Sequence, residues 1–122
     1  MTKQALIALR DKVAAGDNEG WRECVVELID QERKDFKPEF IQIGRMMDGS
    51  LDAAVALLDD VLPGGEWVMR TNFDAENEPR FFANVWCEEN PNKGGKCFPA
   101  YSDTPPRALL LATLDALIEG AE

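Results

Sequence analysis

The apolar residues change their spacing at Pro63, and this change limits the folds open to the chain more than any other feature. Before Pro63 they recur at intervals of three and four, as on one face of a helix: Leu51, Ala54, Val55, Leu58 and Leu62. After Gly65 the interval becomes two, and one face of a strand is formed by Trp67, Met69, Thr71 and Phe73. A helix capped by Ser50, a tight turn and a strand therefore follow one another, so the chain combines α and β structure.

This strand is predicted to pair with a second one. The segments Glu66–Phe73 and Arg80–Cys87 contain aromatic and β-branched residues and flank a polar turn, which is typical of an antiparallel hairpin. A third, short strand is expected in KCFPAYS, at an edge of the sheet because Pro99 has no N–H to donate. If the loop before it is symmetric, Cys87 and Cys97 lie nearly opposite each other.

Helices are predicted before and after the strands. Two amphipathic helices, over residues 4–15 and from Trp21 onward, are expected to form an antiparallel pair, whereas residues 36–47 fit a short helical turn or a short strand. The last helix begins with Thr104 as N-cap and Pro105 at its first position. We therefore predict one α+β domain over residues 1–122, with helices packed on a small, mainly antiparallel three-stranded sheet as a layered sandwich. Residues 1–47 are its mostly helical part and residues 48–122 a helix–hairpin–strand–helix module.

The second half resembles a family of small phage and prophage proteins, the phage ABA sandwich domain. The resemblance lies in the order of GSLDAAVALLDDVLPGGEWVM, a hairpin centred on FFANVW, and TPPRALLLATLDAL, and it covers about residues 48–119. It implies a phage setting and a layered fold, and it implies no reaction and no catalytic residue. Departures from the family pattern include the second glycine of PGGEW and the second proline of TPPR.

Charge argues against several classes of partner. The net charge is −10, and residues 46–122 hold 5 basic and 14 acidic side chains, so −9 of the total lies there. Such a field repels phosphate backbones and anionic lipid, so we expect no direct binding to nucleic acid or membrane. With no signal peptide and no long apolar run, we expect a soluble, intracellular protein, and the family resemblance implies the cytoplasm of a bacterial host.

Catalytic and metal sites are not expected either, and neither is a cofactor. The chain has no histidine, the commonest proton-transfer group and metal ligand, and its three cysteines lack C-x-x-C spacing. Magnesium ligation by Asp59, Asp60 and Glu66, and phosphate binding by the loop PNKGGK, fit less well than solvated surface residues. Cys87 and Cys97 are interpreted as packed thiols, with a redox pair or a disulfide as the alternatives.

Large apolar residues occur on both faces of the hairpin, with Phe82 and Trp86 on one and Phe81 and Val85 on the other. We expect the amino-terminal helices to cover the face of Phe82 and Trp86. If they do not, then Arg70, Phe82 and Trp86 form the contact surface for a partner.

The function predicted from the sequence is therefore that of a phage or prophage accessory protein without catalysis, which binds another protein or itself. One alternative is a small-molecule binder or minor enzyme with a pocket between the sheet and the amino-terminal helices. Others are an acidic inhibitor of a host nucleic-acid-binding or defence protein and a structural component of the virion.

Overall fold

A computed structural model of the chain describes residues 3–31, 38–62, 64–73, 79–87 and 97–120. Its helices are α1 (Lys3–Ala14), α2 (Asn18–Gln31), a 3-10 helix (Pro38–Gln42), α3 (Ile43–Met47), α4 (Leu51–Val61) and α5 (Pro105–Gly120). Its strands are β1 (Gly65–Phe73), β2 (Pro79–Cys87) and β3 (Cys97–Ser102). The predicted α+β class, with helices packed on a three-stranded antiparallel sheet, is confirmed.

The first two helices form the expected pair, and local signals set their ends. Gly16 has a φ of 70°, in the left-handed region that ends α1, and the Asp17 carboxylate accepts a hydrogen bond from the Gly20 N–H at 2.9 Å at the start of α2. The buried face of α1 holds Leu6, Leu9 and Val13. Helix α1 packs on both α2 and α5.

The part of the chain over residues 36–47 that is described is helical, so the strand alternative is wrong. Phe40, Ile43 and Met46 are buried, each three residues after the one before, which is the spacing of one helical face and not of a strand. These side chains join the core beside α4.

The turn from α4 into β1 follows the sequence prediction. The Ser50 hydroxyl accepts a hydrogen bond from the Ala53 N–H at 3.3 Å and caps the helix. At the other end the Leu62 carbonyl accepts from the Gly65 N–H at 2.8 Å, and Gly64 has a φ of 79°, which glycine adopts without strain.

Helix α5 lies at the centre of the molecule. It packs on β2 and β3 on one side and on α1, α3 and α4 on the other. Its buried residues are nearly continuous and do not form a single stripe: Pro106, Ala108, Leu109, Leu110, Leu111, Ala112, Thr113 and Leu114. A helix that is apolar all round belongs inside a fold, and the buried Thr113 hydroxyl is satisfied by donating to the Leu109 carbonyl at 2.8 Å.

The sheet has the order β1-β2-β3, with β2 in the centre. The side chains of Ala83 and Val85, and of Ala100 on β3, are buried under α5, and Trp67 and Met69 of β1 pack against the same core. Strand β3, with Pro99, is at an edge as predicted. The layers are thus the sheet, then α5, then α1 and α4, with α2 on the far side of α1.

Candidate functional site

The face of the sheet opposite α5 collects the residues that the sequence suggested for binding. Alternate residues of a strand point to opposite faces, so the register fixes which side chains lie together. Three rows on this face span all three strands: Glu66–Trp86–Cys97, Val68–Asn84–Pro99 and Arg70–Phe82–Tyr101. We call these nine residues the outer face.

The best-organised row of the outer face is Arg70–Phe82–Tyr101. The Phe82 and Tyr101 rings lie with centroids 5.0 Å apart, tilted by 50°, and the Arg70 guanidinium carbon lies 5.5 Å from the Phe82 centroid. Aromatic pairs and cation–π contacts of this kind each contribute about 0.5–1 kcal/mol. The row therefore holds an aromatic pair in a fixed arrangement while Tyr101 stays 54% exposed.

Trp86 lies further along the same face, with a polar contact at its edge. Its indole N–H donates to the Glu66 carboxylate at 3.0 Å, and this contact is open to solvent. The indole ring is half-buried, and it does not belong to the core under α5. A large ring with its polar atom already paired is the type of residue that dominates protein interfaces.

Between these two features lies a polar group that is not satisfied. The Asn84 amide oxygen is shielded from solvent and has no hydrogen-bond partner among the described residues. Its cross-strand neighbours are Val68 and Pro99, and the Pro99 ring has no N–H to offer. Because an unpaired buried acceptor costs about 1–3 kcal/mol, this position does not stabilise the isolated fold.

The expectation that the amino-terminal helices cover this face is wrong. Helices α1 and α2 lie beyond α5, on the opposite side of it from the sheet. Val68 is 37% exposed and Tyr101 54% exposed, and Arg70 is also exposed. The physical reason is that α5 carries apolar residues on both sides over positions 108–114, so its second side requires a cover and takes the amino-terminal helices.

The three predicted site residues are thus placed on one face, with Arg70 and Phe82 in contact and Trp86 four residues along β2. The two-residue period of β1 predicts Val68 on the same face as Arg70, and the register agrees. Sequence reasoning missed Tyr101 as a member of that face. To place Tyr101 beside Phe82, the register between β2 and β3 must be known. The length of the loop that joins these strands does not by itself define that register.

The register between β2 and β3 places Cys97 close to Cys87 but not directly opposite it. The register aligns Cys97 with Trp86, one residue before Cys87, so the two cysteines are not cross-strand partners. Cys24 lies half-buried on α2, where burial first and the carboxylate of Glu27 next raise the pKa of its thiol. A raised pKa keeps the thiol protonated at neutral pH, which disfavours it as a nucleophile.

Other candidate sites gain no support from the geometry. Within the described ranges, no group of three or more aspartate, glutamate or cysteine side chains is placed to hold a metal ion. The loop PNKGGK, residues 91–96, lies outside the described residues. In the described residues α5 packs between the sheet and α1, where the alternative hypothesis placed a small-molecule pocket. No helix in the described part of the chain is both long and apolar enough to cross a membrane.

Comparison of the chain with protein-family models, with curated proteins and with solved structures finds no match. The similarity to the phage ABA sandwich family therefore stays a prediction based on sequence motifs.

Proposed function

We propose that this protein is a non-catalytic binding module that docks a partner protein on the outer face of its sheet. In the setting that the family resemblance implies, it is a phage or prophage accessory protein acting in the cytoplasm of a bacterial host. The observation that carries the proposal is the exposed row Arg70–Phe82–Tyr101 with Trp86 on the same face.

The composition of the outer face favours a protein partner. Interfaces are enriched in tryptophan, tyrosine, phenylalanine and arginine, and these are the residue types at the centre of this face. Its charges, on Arg70 and Glu66, are of opposite sign, so the face itself does not share the strong negative charge of the chain. A partner with an apolar centre and paired charges at its rim would match this surface.

The narrower hypothesis of an acidic inhibitor places the contact elsewhere. A basic partner held by the net charge of −10 would bind through exposed carboxylates outside this face. Its affinity would fall steeply as the salt concentration rises. A partner held by the outer face would keep most of its affinity, because aromatic contacts are screened little. Salt dependence therefore separates the two hypotheses.

The experiment compares three immobilised proteins as baits in bacterial host lysate: the wild type, Phe82→Ala/Trp86→Ala and Ile7→Ala. Ile7 is the matched control because it is an exposed apolar residue on α1, away from the sheet. We expect a partner retained by the wild type and by Ile7→Ala, at low and moderate salt, and lost from the double variant. Loss of an aromatic hot spot costs at least about 2 kcal/mol, or roughly thirty-fold in Kd.

Light scattering of the same three proteins tests whether the partner is a second copy of the chain. A dimer formed by the wild type and Ile7→Ala and absent from the double variant would make the outer face a self-association surface. Thermal melting of each variant confirms that the fold is retained. Equal retention of the same partner by all three baits would overturn the proposal.

A further inference from the structure

A second apolar surface lies on the other side of the molecule, between α2 and the 3-10 helix. It is an open groove of about 370 Å³ with almost wholly apolar walls, and its lining residues are Trp21, Arg22, Val25, Val26, Ile29 and Ile41. Helices α1 and α5 separate it from the sheet, so it is independent of the outer face.

The groove has a packed floor and exposed apolar walls. Trp21 and Val25 are each 5% exposed, and the Trp21 ring is held by its indole N–H, which donates to the Asn18 side-chain oxygen at 3.2 Å. In contrast, Val26 is 58% exposed and Ile41 is 56% exposed. Two large aliphatic side chains on separate elements therefore face solvent above one preformed floor, although neighbouring residues Leu28 and Phe40 are fully buried.

The rim of the groove is acidic along α2. This helix carries four carboxylates and one basic residue, and all four carboxylates are exposed: Glu19, Glu23, Glu27 and Asp30. Glu23 and Asp30 are three and four residues from Val26, so they are its neighbours on the helix surface. Two exposed cations also lie near the groove: Arg22 of α2, with its guanidinium carbon 5.4 Å from the Trp21 ring centroid, and Arg45, four residues after Ile41.

We propose that this groove binds a basic amphipathic helix of a partner protein. Apolar side chains spaced three or four residues apart on that helix would enter the groove, and its lysines or arginines would lie against Glu23 and Asp30. Amphipathic helices are recognised in this way, with apolar anchors in a groove and charges along its rim. A second copy of this chain fits less well, since it would bring a second acidic rim against the first.

The groove gives the protein two binding surfaces of different chemistry on opposite sides of α5. The outer face offers aromatic rings with balanced charge, and the groove offers aliphatic walls with a negative rim. Such a module would link two partners. The groove proposal does not depend on the outer face, and the variant Phe82→Ala/Trp86→Ala distinguishes binding at one surface from binding at the other.

The probe is a fluorescent fifteen-residue peptide of leucine and lysine with leucines at helical spacing. Two control peptides are a scrambled sequence of the same composition and a version with glutamate in place of lysine. Fluorescence anisotropy measures binding to the wild type, to Val26→Ser/Ile41→Ser, and to Ile7→Ser as the matched control for loss of an exposed aliphatic residue. We expect the groove variant to bind at least tenfold more weakly than the wild type, and Ile7→Ser to bind like the wild type.

The contribution of charge is tested by comparing Glu23→Gln/Asp30→Asn with the control variant Asp11→Asn/Asp59→Asn. The control removes two exposed carboxylates that do not line the groove. We expect a several-fold loss of peptide affinity from the first pair at low salt, a smaller loss from the second, and convergence at high salt. The variant Phe82→Ala/Trp86→Ala should bind the peptide like the wild type, so failure of the proposed outer-face function leaves this result unchanged.

Several outcomes would overturn the groove proposal. These are no saturable binding at about 1 mM peptide, equal affinity for the scrambled or glutamate peptide, and unchanged affinity in Val26→Ser/Ile41→Ser. Self-association of the wild type that is lost in Val26→Ser/Ile41→Ser would also overturn it, because the occupant would then be a second copy.

Discussion

Two residues with the same predicted role as helix caps have different environments. Ser50 caps α4 through the Ala53 N–H, whereas the Thr104 hydroxyl is buried without a hydrogen-bond partner among the described residues. Pro106 has no N–H at the second helical position, which leaves the Arg107 N–H at the third position as the donor for a side-chain cap, and it forms no hydrogen bond with the Thr104 hydroxyl. The expectation that Thr104 caps α5 with its side chain is therefore wrong. Its carbonyl still accepts the first helical hydrogen bond, from the Ala108 N–H at 3.1 Å.

At this scale we predict opposite results for the two caps. Ser50→Ala should lower the free energy of unfolding by about 1 kcal/mol, since it removes a made hydrogen bond. Thr104→Val should leave stability unchanged or raise it, since it replaces an unsatisfied buried hydroxyl by a methyl group of the same shape. Urea unfolding of both variants at one pH measures the difference. A loss of about 1 kcal/mol in Thr104→Val would mean that its hydroxyl does form a cap.

At the scale of elements, polar side-chain contacts join α5 to the elements packed against it. The Arg10 guanidinium of α1 is paired with the Asp115 carboxylate of α5, with a second contact from Nη2 to Oδ2 at 3.5 Å. At the start of α5, Arg107 donates through Nε to the Ser102 hydroxyl at the end of β3, at 2.6 Å. These contacts join α5 to the helix on one side of it and to the sheet on the other.

A double-mutant cycle tests the contact between α1 and α5. The Arg10 and Asp115 side chains are 35% and 26% exposed, so we expect a coupling energy of about 0.5–1 kcal/mol between Arg10→Ala and Asp115→Ala. The control is the pair Lys12–Asp17, with atoms 3.6 Å apart and side chains 49% and 43% exposed, for which we expect coupling close to zero. Equal coupling in the two cycles, measured by urea unfolding, would show that burial of the first pair contributes nothing.

At the scale of the whole molecule, the dominant feature is the net charge of −10. Like charges repel each other more in the compact state than in the extended chain, so the charge lowers stability while it keeps molecules apart. Dissolved salt screens this repulsion over a Debye length of about 10 Å at 0.1 M.

We therefore predict that Tm rises by about 2–5 °C between roughly 20 mM and 300 mM sodium chloride. The variant Asp11→Asn/Asp59→Asn changes the net charge from −10 to −8 and should show a higher Tm at low salt and a smaller rise. Differential scanning calorimetry of both proteins is the measurement. A Tm that falls with salt in the wild type would mean that attractive ion pairs outweigh the repulsion.

Much of the fold followed from the sequence, at the level of single elements. Helix α4, the β1–β2 hairpin, the edge position of β3 and the closing helix α5 were predicted, and their bounds differ from the observed ones by a few residues at most. The site was predicted in part, as Arg70, Phe82 and Trp86, whereas Tyr101, the groove at Val26 and the absence of helical cover over the outer face were not.

The sequence by itself determined where most helices and strands begin and end, with residues 36–47 as the exception, because periodicity, caps and turn residues act between positions a few residues apart. Only the tertiary structure decided that α5 is covered on both sides, that β3 places Tyr101 beside Phe82, and that Arg10 meets Asp115. Arg10 and Asp115 are 105 positions apart, and no local pattern specifies such a contact. It follows from packing all elements around one core at once, and the same packing leaves the outer face and the groove exposed.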